Sequence, residues 1–243
     1  MRGVVLAAGP GRRLEALTET LPKTLLPLDD GRTILDLAMA NLRSVGVEEV
    51  VVVTGFAAER VEERVADLER RHRVRIELLF NERASEWNNA YSLWLARDAL
   101  RDGALLVNGD TVHPPSVEES LLAAPDADLV LALDDAKPLG DEAMKVGLDD
   151  VGRVARIHKS LDAADAAGEY IGVALIAGRA VDPLAEALEA TWRADPTRYY
   201  EDGFEEFARR GGLVGVASIG AVEWVEVDER ADLERAREIA CRS

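Results

Sequence analysis

The segment GVVLAAGPGRRL, residues 3–14, begins with a short apolar run and ends in a turn that contains two glycines. Such a run predicts a buried strand, and the glycines let the backbone turn sharply where the strand ends. Successive N–H groups of such a turn form a concavity that binds anions. Arg12 and Arg13 add positive charge, and Lys23 follows a proline in LPKTLLPL, residues 21–28. The start of the chain therefore predicts a phosphate-binding loop at the end of a strand.

The following residues alternate short apolar runs with amphipathic segments. Residues 33–45 have apolar residues at helical spacing behind a threonine that suits an N-cap, and helices are also predicted over 57–72 and 88–100. Val50–Val53 is typical of a strand that is buried on both faces of a parallel sheet. After about residue 134 the strands become shorter and partly antiparallel. The pattern predicts an α/β fold with a doubly wound, mostly parallel sheet and a small substrate-binding lid.

Length and charge limit the classes of protein to consider. We expect one domain over 1–243, with a nucleotide-binding core in 1–134 and an acceptor-binding, metal-completing half in 135–243. Carboxylates outnumber Lys and Arg by 46 to 29, for a net charge of −17, which disfavours nucleic acid and membranes as partners. The single cysteine, Cys241, has no disulfide partner, and we expect a cytoplasmic protein with neither signal peptide nor membrane span. A homodimer is compatible with the sequence, which does not determine the oligomeric state.

Three carboxylates are candidate ligands for a divalent cation. Asp110 ends the run Asn108-Gly109-Asp110 after a predicted strand, at the sheet edge where such folds bind ligands. Glu226 and Asp228 are two residues apart on an extended segment and face the same side. Mg²⁺ prefers such oxygen ligands, and we expect it as the cofactor. Two other interpretations stay open: Asn-Gly is a cue for a tight turn, and the later pair suits a capping cluster before the last helix.

The runs LAAGPGRRL (6–14) and PKTLLP (22–27) resemble the signature of the sugar-nucleotidyltransferase superfamily. The resemblance implies a Rossmann-like fold, with Arg13 on the β- and γ-phosphates and Lys23 on the α-phosphate as the catalytic residues. It also implies a nucleotide-binding loop formed by Leu6, Ala7, Ala8, Gly9, Gly11 and Arg12. The family's usual Asp-x-Asp is replaced by Asn108-Gly109-Asp110, so that Asp110 keeps the metal role and Asn108 offers a carbonyl oxygen or positions a water.

Segments 82–100, 142–161 and 168–176 resemble bacterial CTP:phosphocholine cytidylyltransferases and their phosphonate-using relatives. The resemblance implies CTP as the nucleotide. It also implies that the base and sugar lie near Asn88, Asn89 and Ser92, and that the acceptor lies near Lys145, Lys159 and Glu169. Helix capping by the asparagines and ordinary surface positions for the lysines are the alternatives.

A cationic acceptor such as choline is best held by aromatic rings with carboxylates nearby. Trp192, Tyr199 and Tyr200 lie in one segment that also contains Glu201 and Asp202, and these rings could equally be core. The sequence therefore leaves the acceptor open between a phosphocholine-like phosphorylated alcohol and a phosphonate.

The expected reaction is transfer of CMP from CTP to such an acceptor, with release of pyrophosphate. An acceptor oxygen that is already anionic needs no general base, so orientation and charge neutralisation supply the catalysis. A sugar 1-phosphate nucleotidyltransferase using UTP or dTTP is the first alternative; against it, Lys159 is followed by Ser160 rather than completing the usual Glu-Lys-Pro. A non-catalytic nucleotide-binding regulatory protein is the second.

Overall fold

A mixed sheet of nine strands forms the centre of the protein in the computed structural model, which describes residues 1–29 and 31–242 without the side chains of Arg12 and Glu15. A further pair of short strands, β5 and β11, lies apart from it. The strands are β1 (Arg2–Ala7), β2 (Glu49–Thr54), β3 (Arg75–Phe80), β4 (Ala104–Asn108), β5 (Thr111–Val112), β6 (Leu129–Asp134), β7 (Lys145–Leu148), β8 (Val154–His158), β9 (Gly168–Ile176), β10 (Val214–Ser218) and β11 (Val225–Glu226). The α-helices are α1 (Ile34–Ser44), α2 (Ala58–Glu62), α3 (Val65–His72), α4 (Asn89–Leu95), α5 (Ser116–Ala123), α6 (Val181–Ala194), α7 (Tyr200–Arg209) and α8 (Arg230–Ala240).

The order of the main strands is β10-β6-β9-β4-β1-β2-β3. Strands β4, β1, β2 and β3 are mutually parallel, and β6 is parallel to β10. Strand β9 is antiparallel to both of its neighbours, β4 and β6, and joins the two parallel groups. The predicted α/β fold with a mostly parallel sheet is confirmed. Because β9 comes from the second half of the chain, 1–134 and 135–243 share one sheet, and their division of labour stays a prediction.

Local sequence explains why α1 begins where it does. Thr33 accepts a hydrogen bond from the Asp36 amide, and the Asp36 carboxylate accepts one from the Thr33 amide, so the predicted N-cap forms a capping box. The prediction of one continuous helix over 57–72 is wrong, because the segment forms two helices, α2 and α3. The Arg64 amide donates to the Val61 carbonyl and tightens the turn between them. The helix predicted over 88–100 likewise ends as α4 and continues as a 3₁₀ turn, Arg97–Leu100.

Asp36 ties α1 to α3 inside the protein. Its carboxylate is fully buried and lies 3.0 Å from both Arg71 Nη1 and His72 Nε2. Burial alone would raise the pKa of this carboxyl group, but hydrogen bonds from His72 and Thr33 and the charge of Arg71 lower it to about 2. The carboxylate therefore stays charged in the folded protein and stabilises the contact between the two helices.

The last helix brings the end of the chain back to its beginning. Leu233 and Ile239 of α8 are buried in one apolar cluster with Leu14 and Leu26, which flank the first loop and the Lys23 segment. This packing fixes the residues just before α8 next to the glycine-containing loop. In the described part of the chain, no helix combines the length and apolar character needed to cross a membrane.

Candidate functional site

The glycine-containing loop leaves β1 at the carboxyl end of the parallel strands. Gly11 has φ of +60°, a conformation in which a Cβ atom is strained. Its carbonyl accepts hydrogen bonds from the Leu14 amide at 3.0 Å and from the Thr18 hydroxyl at 2.8 Å. These bonds hold the turn that starts the 3₁₀ helix Arg12–Leu17. The loop therefore needs a glycine at position 11 for its shape.

A second turn places Asp110 beside this loop. The Gly109 amide donates to the Leu6 carbonyl at 2.9 Å, and a Cβ atom at position 109 would lie 2.6 Å from the same oxygen. The Asn-Gly pair does form a turn, but not a hairpin, because β5 pairs with β11 rather than with β4. The Val227 amide donates to the Asp110 carbonyl at 2.9 Å, which holds the end of the chain against the turn.

Three carboxylates meet where these segments join. One oxygen from each of Asp110, Glu226 and Asp228 lies within 4.8 Å of the others. At the start of α8, the Asp232 carboxylate accepts hydrogen bonds from the Asp228 and Glu229 amides. The side chains of Glu226 and Asp228 are therefore not the ones that cap this helix. The three side chains have the oxygen donors and the spacing that could hold a divalent cation.

Lys23 lies between two of the carboxylates. Its Nζ is 2.8 Å from both Asp110 Oδ2 and Asp228 Oδ1, and Arg13 Nη2 lies 2.9 Å from Asp228 Oδ2. Burial would lower the pKa of Lys23, but the two carboxylates outweigh it and hold this pKa above its ordinary value. Glu226 is exposed to the cleft. Desolvation by the surrounding protein, followed in size by the charges of Asp110 and Asp228, raises its pKa to about 8. The cluster thus crowds three carboxyl groups around Lys23 and Arg13, and Glu226 keeps its proton to a higher pH than a free glutamate does.

A cleft of about 590 Å³ runs from this cluster along the loop to the start of α4, a volume typical of a small-molecule site. Of the residues predicted from sequence, it brings together Leu6, Ala8, Gly9, Gly11, Arg13, Lys23, Asn88, Asn89, Ser92, Asn108, Asp110, Tyr199, Glu226 and Asp228. Ala7 ends β1 and does not line the cleft, and the side chain of Arg12 lies outside the described residues. Pro10 of the predicted loop also lines the cleft, and residues 84–87 and Thr197, which were not predicted, complete the lining. Residues 84–87 could have been found from their position in the sequence, because they follow β3 at the same edge of the sheet.

The polar residues at the far end of the cleft have partners in the protein. Asn88 caps α4 through the Asn89 amide, and Asn89 Oδ1 accepts from the Tyr200 amide at 2.9 Å. The Ser92 hydroxyl accepts from the Asn81 side chain at 2.8 Å. Asn108 Oδ1 accepts from the Tyr200 hydroxyl at 2.9 Å, so this oxygen is turned away from a role beside Asp110 at a metal. These hydrogen bonds fix the positions of the side chains that line this end of the cleft.

Four predicted acceptor residues lie away from the cleft. Lys145 is buried, and its Nζ donates to the Asp141 and Lys159 carbonyls. The Glu169 carboxylate pairs with Lys137 Nζ at 2.9 Å. Tyr200 is fully buried, and Trp192 packs against the rings of Trp87, Tyr91 and Trp94. The side chains of these four residues pack or pair within the protein, and their contact with the acceptor stays a prediction.

Lys159 and Tyr199 lie close to each other beside the cleft. Lys159 Nζ lies 5.7 Å from the centre of the Tyr199 ring and 3.1 Å from Glu142 Oε2. Both residues line a small cavity of about 90 Å³ that also includes Glu201, and Tyr199 lines the large cleft as well. The small cavity therefore adjoins the cleft.

Comparison with known proteins gives the family of the chain. The sequence profile of the MobA-like NTP transferase domain matches residues 3–201, and the chain belongs to this family. It is 33% identical to the CMP-5'-(3-aminopropyl)phosphonate synthase of Streptomyces rubellomurinus, over 97% of this chain and 38% of that protein. It is 31% identical to the 2-aminoethylphosphonate cytidylyltransferase of Lancefieldella rimae, over 64% of this chain and 60% of that protein. The chain thus spans less than two thirds of either relative.

The fold is also found among solved structures. The inositol-1-phosphate CTP transferase of T. maritima superposes with a TM-score of 0.80 at 24% identity, over 98% of this chain and 95% of that chain. At this identity the likeness concerns the fold, and it agrees with the Rossmann-like architecture that the sequence predicts.

Proposed function

We propose that the protein is a Mg²⁺-dependent cytidylyltransferase that transfers CMP from CTP to a small phosphonate or phosphorylated alcohol. The observation that carries the proposal is the convergence of Lys23, Arg13 and three carboxylates at one end of a cleft whose wall is the glycine-containing loop. Cytosine as the base and a phosphonate as the acceptor are supported by the names of the two relatives. These specificities are taken from other proteins and are what the experiment below tests.

The residues present fit a magnesium ion. Asp110, Glu226 and Asp228 would hold it, since they supply only oxygen ligands and one oxygen from each lies within 4.8 Å of the others. When bound, the ion would neutralise charge on the phosphate oxygens of the nucleotide. Lys23 would then exchange at least one carboxylate for the α-phosphate, because its ammonium group bridges two of the carboxylates that the ion would bind.

The chain's own groups account for the remaining requirements of an in-line transfer. An acceptor oxygen attacks the α-phosphorus, the bond from that phosphorus to the bridging oxygen breaks, and pyrophosphate leaves with the electron pair. The acceptor oxygen is already anionic, so no side chain has to remove a proton. Lys23 stabilises charge on the α-phosphate, and Arg13, exposed at the open side of the cleft, binds the departing phosphates. Catalysis on this account is orientation and charge stabilisation.

The test is release of pyrophosphate by the purified chain with Mg²⁺, for each of the four common ribonucleoside triphosphates and dTTP. The acceptor panel is 2-aminoethylphosphonate, 3-aminopropylphosphonate, phosphocholine, inositol 1-phosphate and glucose 1-phosphate. We expect turnover with CTP and a phosphonate or phosphorylated alcohol, and the CMP adduct in the product. Turnover only with UTP or dTTP and glucose 1-phosphate would replace the proposal by the sugar nucleotidyltransferase alternative. Tight binding of a triphosphate without turnover of any pair would refute both.

A further inference from the structure

Lys145, the first residue of β7, is a buried lysine that is bound by carbonyl groups alone. The residue is 5% exposed, and its Nζ donates to the Lys159 carbonyl at 2.6 Å and to the Asp141 carbonyl at 3.3 Å. Among the described residues it forms no ion pair. Taking an ammonium group out of water is costly unless other groups compensate its charge. A methionine would fill the same space without this cost, so packing does not explain the ammonium group.

The two carbonyls belong to segments that leave the sheet at the same end. Strand β8 ends at His158, so the Lys159 carbonyl lies one residue beyond the strand. Asp141 is in the loop 135–144, which connects β6 to β7. Backbone carbonyls without a strand partner need another donor when they are covered by protein. Lys145 pairs with His158 in the register of β7 and β8, and its ammonium group fastens the loop to the end of β8.

The side chain of Lys159 lies at the rim of the cleft. Its Nζ is 5.7 Å from the ring centre of Tyr199, which lines the cleft. Desolvation raises the pKa of Glu226, and the charge of Lys159 opposes this rise, so the ammonium group is within electrostatic reach of the carboxylate cluster. Its ion-pair partner is Glu142, at 3.1 Å, whose side chain is 81% exposed. An ion pair this exposed contributes little to stability, so an anion of the substrate can replace Glu142.

We propose that Lys145 is a positioning residue: through the Lys159 carbonyl it holds the Lys159 ammonium group at the rim of the cleft, where Lys159 binds the anionic group of the acceptor in exchange for Glu142. This role rests on the proposed function and adds to it the way in which the acceptor is held. Phosphonates and phosphorylated alcohols share the anionic group, so the role is the same for either class of acceptor.

Direct contact between Lys145 and the acceptor, which the sequence resemblance implies, is the alternative. For that contact the buried ammonium group would have to give up a hydrogen bond of 2.6 Å and leave the Lys159 carbonyl without its donor. Positioning requires no such rearrangement. The two roles also differ in a measurable way, because a residue that acts through Lys159 has no effect on acceptor binding once the Lys159 ammonium group is removed.

A double-mutant cycle separates the two roles. Steady-state transfer from CTP is measured for the wild type, Lys145→Met, Lys159→Met and the double variant. The acceptors are 2-aminoethylphosphonate, phosphocholine and inositol 1-phosphate, which share an anionic phosphorus group. Arg156→Met is the matched control, because it removes an exposed cation from β8. Differential scanning fluorimetry of each variant gives the effect on stability separately.

We expect KM for the acceptor to rise about tenfold to a hundredfold in Lys159→Met, as loss of a charge-assisted hydrogen bond predicts. In Lys145→Met it should rise about threefold to tenfold, because Lys159 is then misplaced. Adding Lys145→Met to Lys159→Met should change it by less than about twofold more. KM for CTP should stay within about threefold in every variant, and Arg156→Met should keep the wild-type values.

Three results would overturn the inference and leave the cytidylyltransferase proposal intact. The first is that Lys145→Met raises KM for the acceptor equally with and without the Lys159 ammonium group, which would indicate direct contact. The second is that Lys145→Met melts at a lower temperature but keeps the wild-type KM, which would indicate a purely structural role. The third is an unchanged KM in Lys159→Met. Absence of transfer to all three acceptors by the wild type would instead refute the proposed function.

A measurement on the wild-type protein decides if Lys145→Met does not fold. Only four of the 29 Lys and Arg residues are lysines, so selective ¹³C labelling of lysine gives four sets of ε-methylene NMR signals. Lys23→Met, Lys137→Met and Lys159→Met assign three of them, and the fourth belongs to Lys145. The protein, saturated with Mg²⁺ and a CTP analogue that has a methylene bridge between the α- and β-phosphates, is titrated with 2-aminoethylphosphonate. The Lys159 signal should shift and that of Lys145 should shift markedly less; an equal shift of both, or none for Lys159, would overturn the inference.

Discussion

Replacing Lys23 by methionine separates two effects of one charge, catalysis and compensation of the carboxylates. The substitution keeps an unbranched side chain, one atom shorter, and removes an ammonium group that lies 2.8 Å from each of two carboxylates. Loss of a preorganised group that stabilises the transition state lowers kcat by about 10² to 10³. We therefore expect CMP transfer to fall by at least about a hundredfold, provided that CTP and a suitable acceptor have been identified.

The same substitution should strengthen the binding of Mg²⁺. Without Lys23, three carboxylates with oxygens within 4.8 Å of one another lack their central cation. At an effective dielectric constant of about 20, two ionised carboxylates at that distance repel by about 3.5 kcal/mol, and the open cleft reduces this value further. We expect Lys23→Met to be less stable than the wild type by a few degrees in EDTA and to recover with Mg²⁺. Its apparent affinity for the ion, in the absence of nucleotide, should rise about tenfold.

Differential scanning fluorimetry across a Mg²⁺ titration measures both quantities, and pyrophosphate release measures transfer. Lys137→Met is the matched control, because Lys137 also pairs with a carboxylate, Glu169, at 2.9 Å, outside the cluster. It should change neither the Mg²⁺ dependence nor kcat. The reasoning would be refuted if Lys23→Met bound Mg²⁺ no more tightly than the wild type, or if it retained transfer within about threefold.

Three further substitutions test the fold and the loop. Asp36→Asn should lower the free energy of unfolding by about 2 kcal/mol at pH 7, which urea unfolding measures. Because the pKa of Asp36 is lowered to about 2, the difference in stability between wild type and variant should fade as pH drops from about 4 to 2. Glu118 is buried, its oxygens have no hydrogen-bond partner among the described residues although His113 Nδ1 lies 3.6 Å from Oε2, and burial raises its pKa. Glu118→Gln should therefore raise the melting temperature, increasingly so as pH rises above the usual range for glutamate, and a lower melting temperature at pH 8 would contradict this. Gly11→Ala should lower the free energy of unfolding by about 1 kcal/mol through the φ of +60° and should place a Cβ atom 3.2 Å from Cβ of Lys23. We therefore expect lower stability together with a lower kcat/KM. An unchanged kcat/KM would show that the loop tolerates the shift.

Features that depend on local sequence were predictable. The strand and loop of residues 3–14, the capped helix α1 and the strand over Val50–Val53 follow from short-range periodicity and turn residues, and the structure has each of them. Pairing between distant segments was not predictable in the same way. The insertion of β9 between β4 and β6, and the pairing of β5 with β11, depend on contacts across more than 30 residues that no local pattern contains.

The acceptor residues show the same limit at the scale of one residue. Tyr199 and Tyr200 are adjacent at the start of α7, where one position changes the direction of a side chain by about 100°. Tyr200 is consequently buried with its hydroxyl on Asn108, while Tyr199 is 40% exposed and lines the cleft. Composition alone could not separate the two rings, because the boundary of the helix decides which one faces the core.

The charges of the site suggest how an acidic protein can bind a triphosphate. With a net charge of −17, the surface as a whole repels phosphate. The cations of the site are each paired with a carboxylate of the chain: Arg13 with Asp228, Lys23 with both Asp110 and Asp228, and Lys159 with Glu142. A free triphosphate would have to displace these carboxylates without offering them another partner. A triphosphate that arrives with a divalent cation would exchange partners instead, because the cation would bind the carboxylates while the phosphates bind the lysine and the arginine. On the proposed function, the arrangement would therefore favour the metal-bound nucleotide over the free anion, through the same Lys23 contacts on which we propose that transfer depends.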